Sequence, residues 1–328
     1  MKYNSYETAI ERALEDWVKQ GKPSGGPNGA VVLAVLGAGR GPLVTRALST
    51  SEAQGVPIKI WAVERNPNAV YVLYRRNESE WNHRVNIVHC NIRSWAGPRA
   101  GQIDIVVSEM LGDFRDNELA PECLDGALHL LAPWGVCIPQ SFTSFVTLVS
   151  APKIHSKLQV GYDNNSIAFS TLCWTWLRQF DYISALEVLN TSTDTKNNNR
   201  SIVQRGENGI PRLQGLKPTI LPVWQFSHGA AAKLNATLRN SHNSRRGDLI
   251  FDVRTAGIYY GLAGYFECVL YPGVELSTNP NTIETKSPAL TSWLIMFFPL
   301  KARLYVDRGL KLEVIMERKT DGRQVWYE

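Results

Sequence analysis

Apolar positions along the first 140 residues follow two alternating rhythms. Tyr6, Ile10, Leu14 and Trp17 recur at helical spacing and predict an amphipathic opening helix. "AVVLAVLG" (30–37) is instead a continuous valine-rich run stopped by glycine, as expected of a strand buried on both faces. A helix is predicted from about Pro42, then "IKIWAVE" as a strand and "PNAVYVLYRRNES" as a helix. "VNIVH" and "IDIVVSE" read as further strands, "ELAPECLDGALHLL" as a helix and "GVCIP" as the closing strand. Such strand–helix alternation predicts an α/β fold with a doubly wound sheet.

After Pro139 the rhythm changes. "FTSFVTLVS", "DLIFDVR", "GLAGYFECVLY" and "KLEVIME" are strand-like with no helices between them, so the chain divides into residues 1–139 and a mainly β portion, 140–328. Within the latter, about 161–216 turns polar; "NTSTDTKNNNRS" has neither period nor apolar anchor and reads as an insertion.

Composition adds limits. With 328 residues there is room for two cores, and 44% hydrophobic with 20% charged residues fits a globular chain rather than a disordered one. The net charge of +5 is mild, and the basic pairs Arg75-Arg76 and Arg245-Arg246 lack flanking stacking aromatics, so no direct nucleic-acid partner is expected. Five scattered cysteines (Cys90, Cys123, Cys137, Cys173, Cys268) give neither zinc-ligand spacing nor an even disulfide set. No metal is expected, and reduced thiols point to the cytoplasm or nucleus. The first residues carry charge throughout with no apolar leader, and "SWLIMFFPL" is too short to span a bilayer, so no membrane partner is expected.

Two stretches carry candidate chemistry. In "VLAVLGAGRGPLV", Gly37, Gly39 and Gly41 follow the first strand and Pro42 opens a helix. Glycines permit a tight turn with close ligand approach, and a helix N-terminus favours an anion. The spacing is G-x-G-x-G rather than the dinucleotide G-x-G-x-x-G. Glu64 ends the next strand 23 residues after Gly41, where a carboxylate can bond both hydroxyls of a ribose. An adenosyl ligand without phosphates, such as S-adenosylmethionine, fits; on the loop alone a nicotinamide dinucleotide stays open. A packing turn would explain one or two glycines, but neither three nor the acid. The second stretch, "SEMLGDFRDNEL" (108–119), sets Glu109, Asp113, Asp116 and Glu118 at the end of a core strand with Arg115 as its one arginine.

With both stretches in view, the chain resembles the protein arginine methyltransferases, and among them the type II, symmetric-dimethylating branch. The resemblance rests on "VLGAGRGPLV", "AVERNPNAV", "VVSEMLGDFRDNELAPECLDGALHLL", "IPQSFTSF", "AGYFECVLY", "SWLIMFFPL" and "VWYE". It implies a Rossmann-like class I methyltransferase domain over 1–139 and a β-barrel-like substrate-binding domain over 140–328. It implies S-adenosylmethionine as cofactor, held by Gly37, Gly39, Gly41, Pro42, Leu43 and Glu64, with Lys2 and Tyr3 folded over it. Asn91 and Ile92 stand where the family usually has Asp-Met beside the adenine.

The resemblance makes Glu109 and Glu118 the catalytic acids. Arginine is cationic at physiological pH, so two carboxylates can grip its fork, aim one nitrogen and localise charge away from it. Asp113 and Asp116 are expected to face water. Trp293 is implied as the ring that stacks on the guanidinium, next to Ser292, where asymmetric enzymes carry histidine; Thr291 stands where the branch usually has Phe. His129, on a helix expected to be core-packed, and His228, in a turn, are assigned no chemistry. The implied activity is formation of ω-N-monomethyl and symmetric dimethylarginine on Arg/Gly-rich proteins such as histone tails and spliceosomal proteins, by a homo-oligomer. Relatives of this branch carry an N-terminal barrel domain that this sequence lacks, which argues against adaptor docking through it. A truncated, non-catalytic scaffold or binding module on the same fold is the alternative.

Overall fold

Buried apolar runs and glycine-bounded turns organise the first half of the molecule. The computed structural model describes residues 2–99, 101–152, 154–156, 158, 218–229, 241–254, 256–288, 290 and 292–328, with backbone alone at 175–177, 204–205, 211–212 and 241. Helix α1 (Lys2–Lys19) buries Tyr6, Ala9, Ile10, Ala13, Leu14 and Trp17, the predicted stripe. Then come β1 (Val31–Leu36), α2 (Pro42–Gln54), β2 (Ile58–Glu64), α3 (Pro67–Ser79), β3 (Val85–His89), β4 (Ile103–Ser108), α4 (Ala120–Ala127) and β5 (Leu131–Ile138). The five strands form one parallel sheet in the order β3-β2-β1-β4-β5. Val31, Leu33 and Val35 enter one apolar cluster and Val32, Ala34 and Leu36 another, which is why β1 is apolar without alternation. The order reverses between β1 and β4, and their carboxyl ends open the crevice where ligands bind in such sheets.

The chain turns through Pro139 into β6 (Ser141–Val149), and pairing becomes antiparallel. Short strands β7 (Thr175–Leu177), β8 (Gln204–Arg205) and β9 (Pro211–Arg212) precede β10 (Leu221–Ser227), β11 (Arg245–Asp252), β12 (Gly257–Tyr271) and β13 (Val274–Ser277). A four-residue helix α5 (Ile283–Lys286), then β14 (Ile295–Val306), β15 (Lys311–Thr320) and β16 (Val325–Tyr327), complete the chain. One sheet runs β10-β6-β12-β14-β7 with β13 on β12, a second runs β11-β15-β16, and β8 pairs with β9. Phe142, Phe266 and Met296 of the first sheet share a core with Leu249, Phe251, Met316 and Tyr327 of the second, and with Leu33 and Val35 of the parallel sheet.

The predicted α/β first half followed by β structure is therefore what forms. Helix α4 is shorter than expected. Its last residues become a 3₁₀ turn at Leu128–Leu130 and the strand starts at Leu131, because Pro133 cannot continue a helix. His129 is exposed in that turn rather than core-packed. The insertion expected at 161–216 lies outside the described residues, apart from the backbone of β7, β8 and β9; β7 comes from the apolar string "CWTWLRQF" and pairs with Ile295–Phe297.

Gly41, the N-cap of α2, has φ +85, and a Cβ there would meet Trp81 Cη2 at 2.5 Å. Gly55, the C-cap, has φ +66 with nothing within 4 Å. Gly55→Ala should cost about 1 kcal/mol of backbone strain. Gly41→Ala should add roughly 1–3 kcal/mol of overpacking. The difference between the two urea-unfolding midpoints reads the packing contribution.

Candidate active site

The glycine loop bridges β1 and α2 at the sheet's switch point. Gly37, Gly39 and Gly41 all have positive φ, and Pro42 occupies the first helical turn. At Gly39 (φ +54) a side chain would meet nothing within 4 Å, so the loop presents backbone to open space there. Ser108 Oγ at the end of β4 donates to Leu36 O at 3.0 Å, and Tyr6 Oη donates to Ser108 O at 2.9 Å, tying α1, β1 and β4 together beneath the crevice.

Glu64 shapes this loop directly. Its Oε2 accepts from Gly39 N at 2.8 Å, and its Oε1 from Arg65 N at 2.9 Å and Asn66 N at 2.7 Å. A carboxylate offers about four acceptor directions. Three are taken, which leaves one direction open on Oε2. Asn91 Oδ1 caps the following 3₁₀ turn by accepting from Arg93 N at 3.0 Å, while Ile92 is buried. Leu43 is buried under the loop. The backbone cradle, helix N-terminus, apolar floor and single open carboxylate direction suit an adenosyl ligand with an amino-acid carboxylate.

Glu109 stands where β4 ends, and a cation already faces it. Lys2 Nζ lies 2.9 Å from Glu109 Oε2, 5.1 Å from the Tyr3 ring centroid and 5.2 Å from that of Trp293. Lys2, expected over the cofactor, is thus placed on the acid and beside the aromatic wall. Burial pushes the Glu109 carboxyl above its ordinary range, Lys2 and Arg115 pull it back, and Glu118 pushes it up again. Glu118 is exposed, so the two acids are unlike: one sunk, one at the surface.

The loop between them is tightly fixed. Arg115 and Leu119 hold positive φ without being glycine, a strain of about 1–2 kcal/mol each that the surroundings must sustain. Phe114 N donates to Asn117 Oδ1 at 2.9 Å, and the Phe114 ring packs edge-on against Trp224, Phe298 and Tyr327.

Neither aspartate of the loop faces water freely, which corrects the sequence expectation. Asp113 is partly buried and accepts from Leu294 N at 2.7 Å. Beside it, Trp293 Nε1 donates to Leu111 O at 2.8 Å, so the Trp293 segment is joined to the acid loop at two points. Asp116 is fully buried, accepting from Trp224 Nε1 at 2.7 Å and from Tyr327 Oη, and it pairs with Arg318 Nε at 3.2 Å. Arg318 also grips Glu122 bidentately at 2.8 and 3.1 Å and donates to the carbonyls of Asp116 and Asn243. Burial works against the Arg318 charge, yet Asp116 and Glu122 hold its pKa above the ordinary arginine value.

Trp224, Arg318 and Tyr327 could not be found from sequence: Arg318 and Tyr327 reach the loop through the pairing of β15 with β11 and β16, and Trp224 through that of β10 with β6. Trp293 is buried and Ser292 exposed; Thr291 lies outside the described residues. His228 is buried, and desolvation lowers its pKa to about 4, so it is neutral near pH 7. Among the described residues no group of His, Cys, Asp and Glu could hold a metal ion.

Residues 1–138 match the family model described as PRMT5 arginine-N-methyltransferase, and 141–328 match the PRMT5 oligomerisation domain. Over the whole chain the sequence is 36% identical to protein arginine N-methyltransferase skb1 of Schizosaccharomyces pombe, covering 46% of that relative. It is 35% identical to protein arginine N-methyltransferase 5 of Oryza sativa subsp. indica, covering 44% of it. The Xenopus laevis protein of the same name is 32% identical, with 45% covered. The chain thus spans a little under half the length of these relatives. Among solved structures, a Trypanosoma brucei PRMT1 enzyme-prozyme heterotetrameric complex with AdoHcy superposes with TM-score 0.60 at 15% identity, over 98% of this chain and 87% of that one. That likeness establishes a methyltransferase-like α/β fold with a C-terminal antiparallel portion.

The buried cluster makes a graded prediction for urea unfolding. Tyr327→Phe removes one donor from Asp116 and should cost about 1–3 kcal/mol. Arg318→Met leaves two buried carboxylates without their cation and should cost about 3–5 kcal/mol.

Proposed function

The chain belongs to the PRMT5 arginine-N-methyltransferase family, and from that premise we propose that it is an S-adenosylmethionine-dependent protein-arginine N-methyltransferase. Its products are ω-N-monomethyl and symmetric dimethylarginine on Arg/Gly-rich protein substrates, with histone tails and spliceosomal proteins as examples. One observation carries the reading: Glu109 and the Trp293 ring already share a cation, the Lys2 ammonium. An acid and an aromatic face converging on one positive group are what a guanidinium requires.

Gly37, Gly39, Gly41, Pro42, Leu43, Glu64, Asn91, Ile92 and Tyr3 are the residues that would hold S-adenosylmethionine, which supplies an electrophilic methyl group when bound. Lys2 can join them only by giving up its bond to Glu109. Glu109 and Glu118 accept N–H bonds from the substrate guanidinium, orient one nitrogen and draw positive charge away from it. Trp293 covers the planar cation, and Ser292 lies exposed beside it. Glu118, being exposed, can pass the released proton to solvent.

We assign cofactor binding to 1–139 and substrate binding to 140–328, a division supported by the change from parallel to antiparallel pairing and by two family matches that meet there. A homo-oligomer is supported by the description of the second match and by the exposed apolar residues Ile250, Leu304, Tyr305, Leu310 and Ile315 on the antiparallel portion. A cytoplasmic and nuclear setting is supported by free thiols at Cys90, Cys123 and Cys268.

Transfer of tritiated methyl from S-adenosylmethionine to an Arg/Gly-rich peptide, followed by amino-acid analysis for symmetric dimethylarginine, tests this reading. Glu109→Gln and Glu118→Gln should each lower kcat by about 100-fold or more while cofactor binding persists. Full activity in either variant overturns the mechanism; cofactor binding without any transfer by the wild type favours the scaffold alternative. Because the Glu109 carboxyl is pushed up by burial, its protonation should end activity earlier than an ordinary glutamate would. The acid limb of kcat/KM should therefore have a midpoint above about 4.3, with activity falling as pH drops through it.

A further inference from the structure

Arg115, on the loop between the two glutamates, bonds to neither of them. It is fully buried, and its guanidinium carbon lies 3.3 Å from the Phe266 ring centroid and 4.1 Å from that of Trp293. None of its three guanidinium nitrogens has a hydrogen-bond partner among the described residues. Glu109 and Asp113 of its own loop, Cys268 of β12 and Tyr6 of α1 are the ionisable groups that act on it. A buried guanidinium without hydrogen-bond partners among the described residues is among the costliest groups to bury, and an apolar side chain could fill the same volume. The positive φ of 71° at Arg115 adds strain to hold it there.

Taking Glu109 and Trp293 as the guanidinium site proposed above, we propose that Arg115 is a positioning residue of that site: a cation built into its aromatic wall that braces Trp293 and acts on Glu109 without touching the substrate. The brace is geometric. Trp293 is pinned through Nε1 to Leu111 and stands edge-on to Phe266 at 5.5 Å, and the Arg115 cation packs against both rings. The action on Glu109 is electrostatic. Glu109 feels Lys2 and Tyr6 from α1 and Glu118 and Arg115 from its own loop. Lys2 must yield its place when a substrate guanidinium arrives, and Arg115 is then the fixed cation that still opposes protonation of Glu109.

The test compares the full chain with Arg115→Met, which keeps bulk and removes charge. Two titrations are followed: the acid limb of kcat/KM for methyl transfer, and the Glu109 carboxyl by carbon-13 NMR of glutamate-labelled protein, assigned through Glu109→Gln. Both midpoints should rise by roughly half to one pH unit in Arg115→Met, a shift that loss of packing alone would not produce. If Arg115→Met does not fold, Arg115→Gln carries the same comparison. Unmoved midpoints in a folded variant overturn the proposal. A wild type that transfers no methyl, while the NMR midpoint still rises in the variant, overturns the proposed function and leaves the action of Arg115 on Glu109 standing.

Discussion

The structure depends on a buried ionic cluster that joins the acid loop to the end of the chain. Asp116 sits between the two glutamates in sequence, yet its partners are Trp224, Arg318 and Tyr327, more than 100 residues away. Arg318 spans Asp116 and Glu122, clamping the loop to the first turn of α4. Burying three charges in one place is weak evidence for stability, since apolar residues of similar volume often serve as well. What such a cluster supplies is a fixed arrangement: the loop can close over β4 only when β15 and β16 are in register. The acid loop is thus completed from both halves of the molecule.

Around that anchor the site gathers charge in a low-dielectric setting. Glu109 is sunk and Glu118 exposed, so one carboxylate can hold a cation while the other meets solvent. Two of the chain's own cations lie against the Trp293 ring, Lys2 toward the acid and Arg115 in the core. The mild overall positive charge does not decide what the site attracts, because charges beyond a Debye length of about 8 Å are screened at physiological salt. Local acids near the ring decide it.

Much of the frame was legible in the sequence. The continuous apolar run of β1 announced a strand of a parallel sheet, which is what forms, and the three glycines lie between β1 and α2 with Glu64 ending β2. Glu109 and Trp293, singled out by the resemblance, both face the Lys2 ammonium. The surroundings were less legible. Asp113 and Asp116 read as a solvated turn, because an aspartate in a loop carries no mark of what will cover it. Lys2 read as a cofactor contact and stands on Glu109; Glu64 read as a ribose ligand, and its carboxylate accepts one bond from the glycine loop, at Gly39, and two from its own following turn, at Arg65 and Asn66.

Local pattern suffices wherever the neighbour is close in sequence: periodicity sets which face of α1 is buried, and glycine with proline sets how α2 begins. These the sequence determined by itself, along with the residue types that could grip a guanidinium. Only the tertiary structure decided that Asp116 would be locked by Arg318 and Tyr327, that Trp293 would hang from Leu111, and that Arg115 would be driven into the core. Those contacts span roughly 150 to 210 residues and follow from sheet register, which no local pattern encodes.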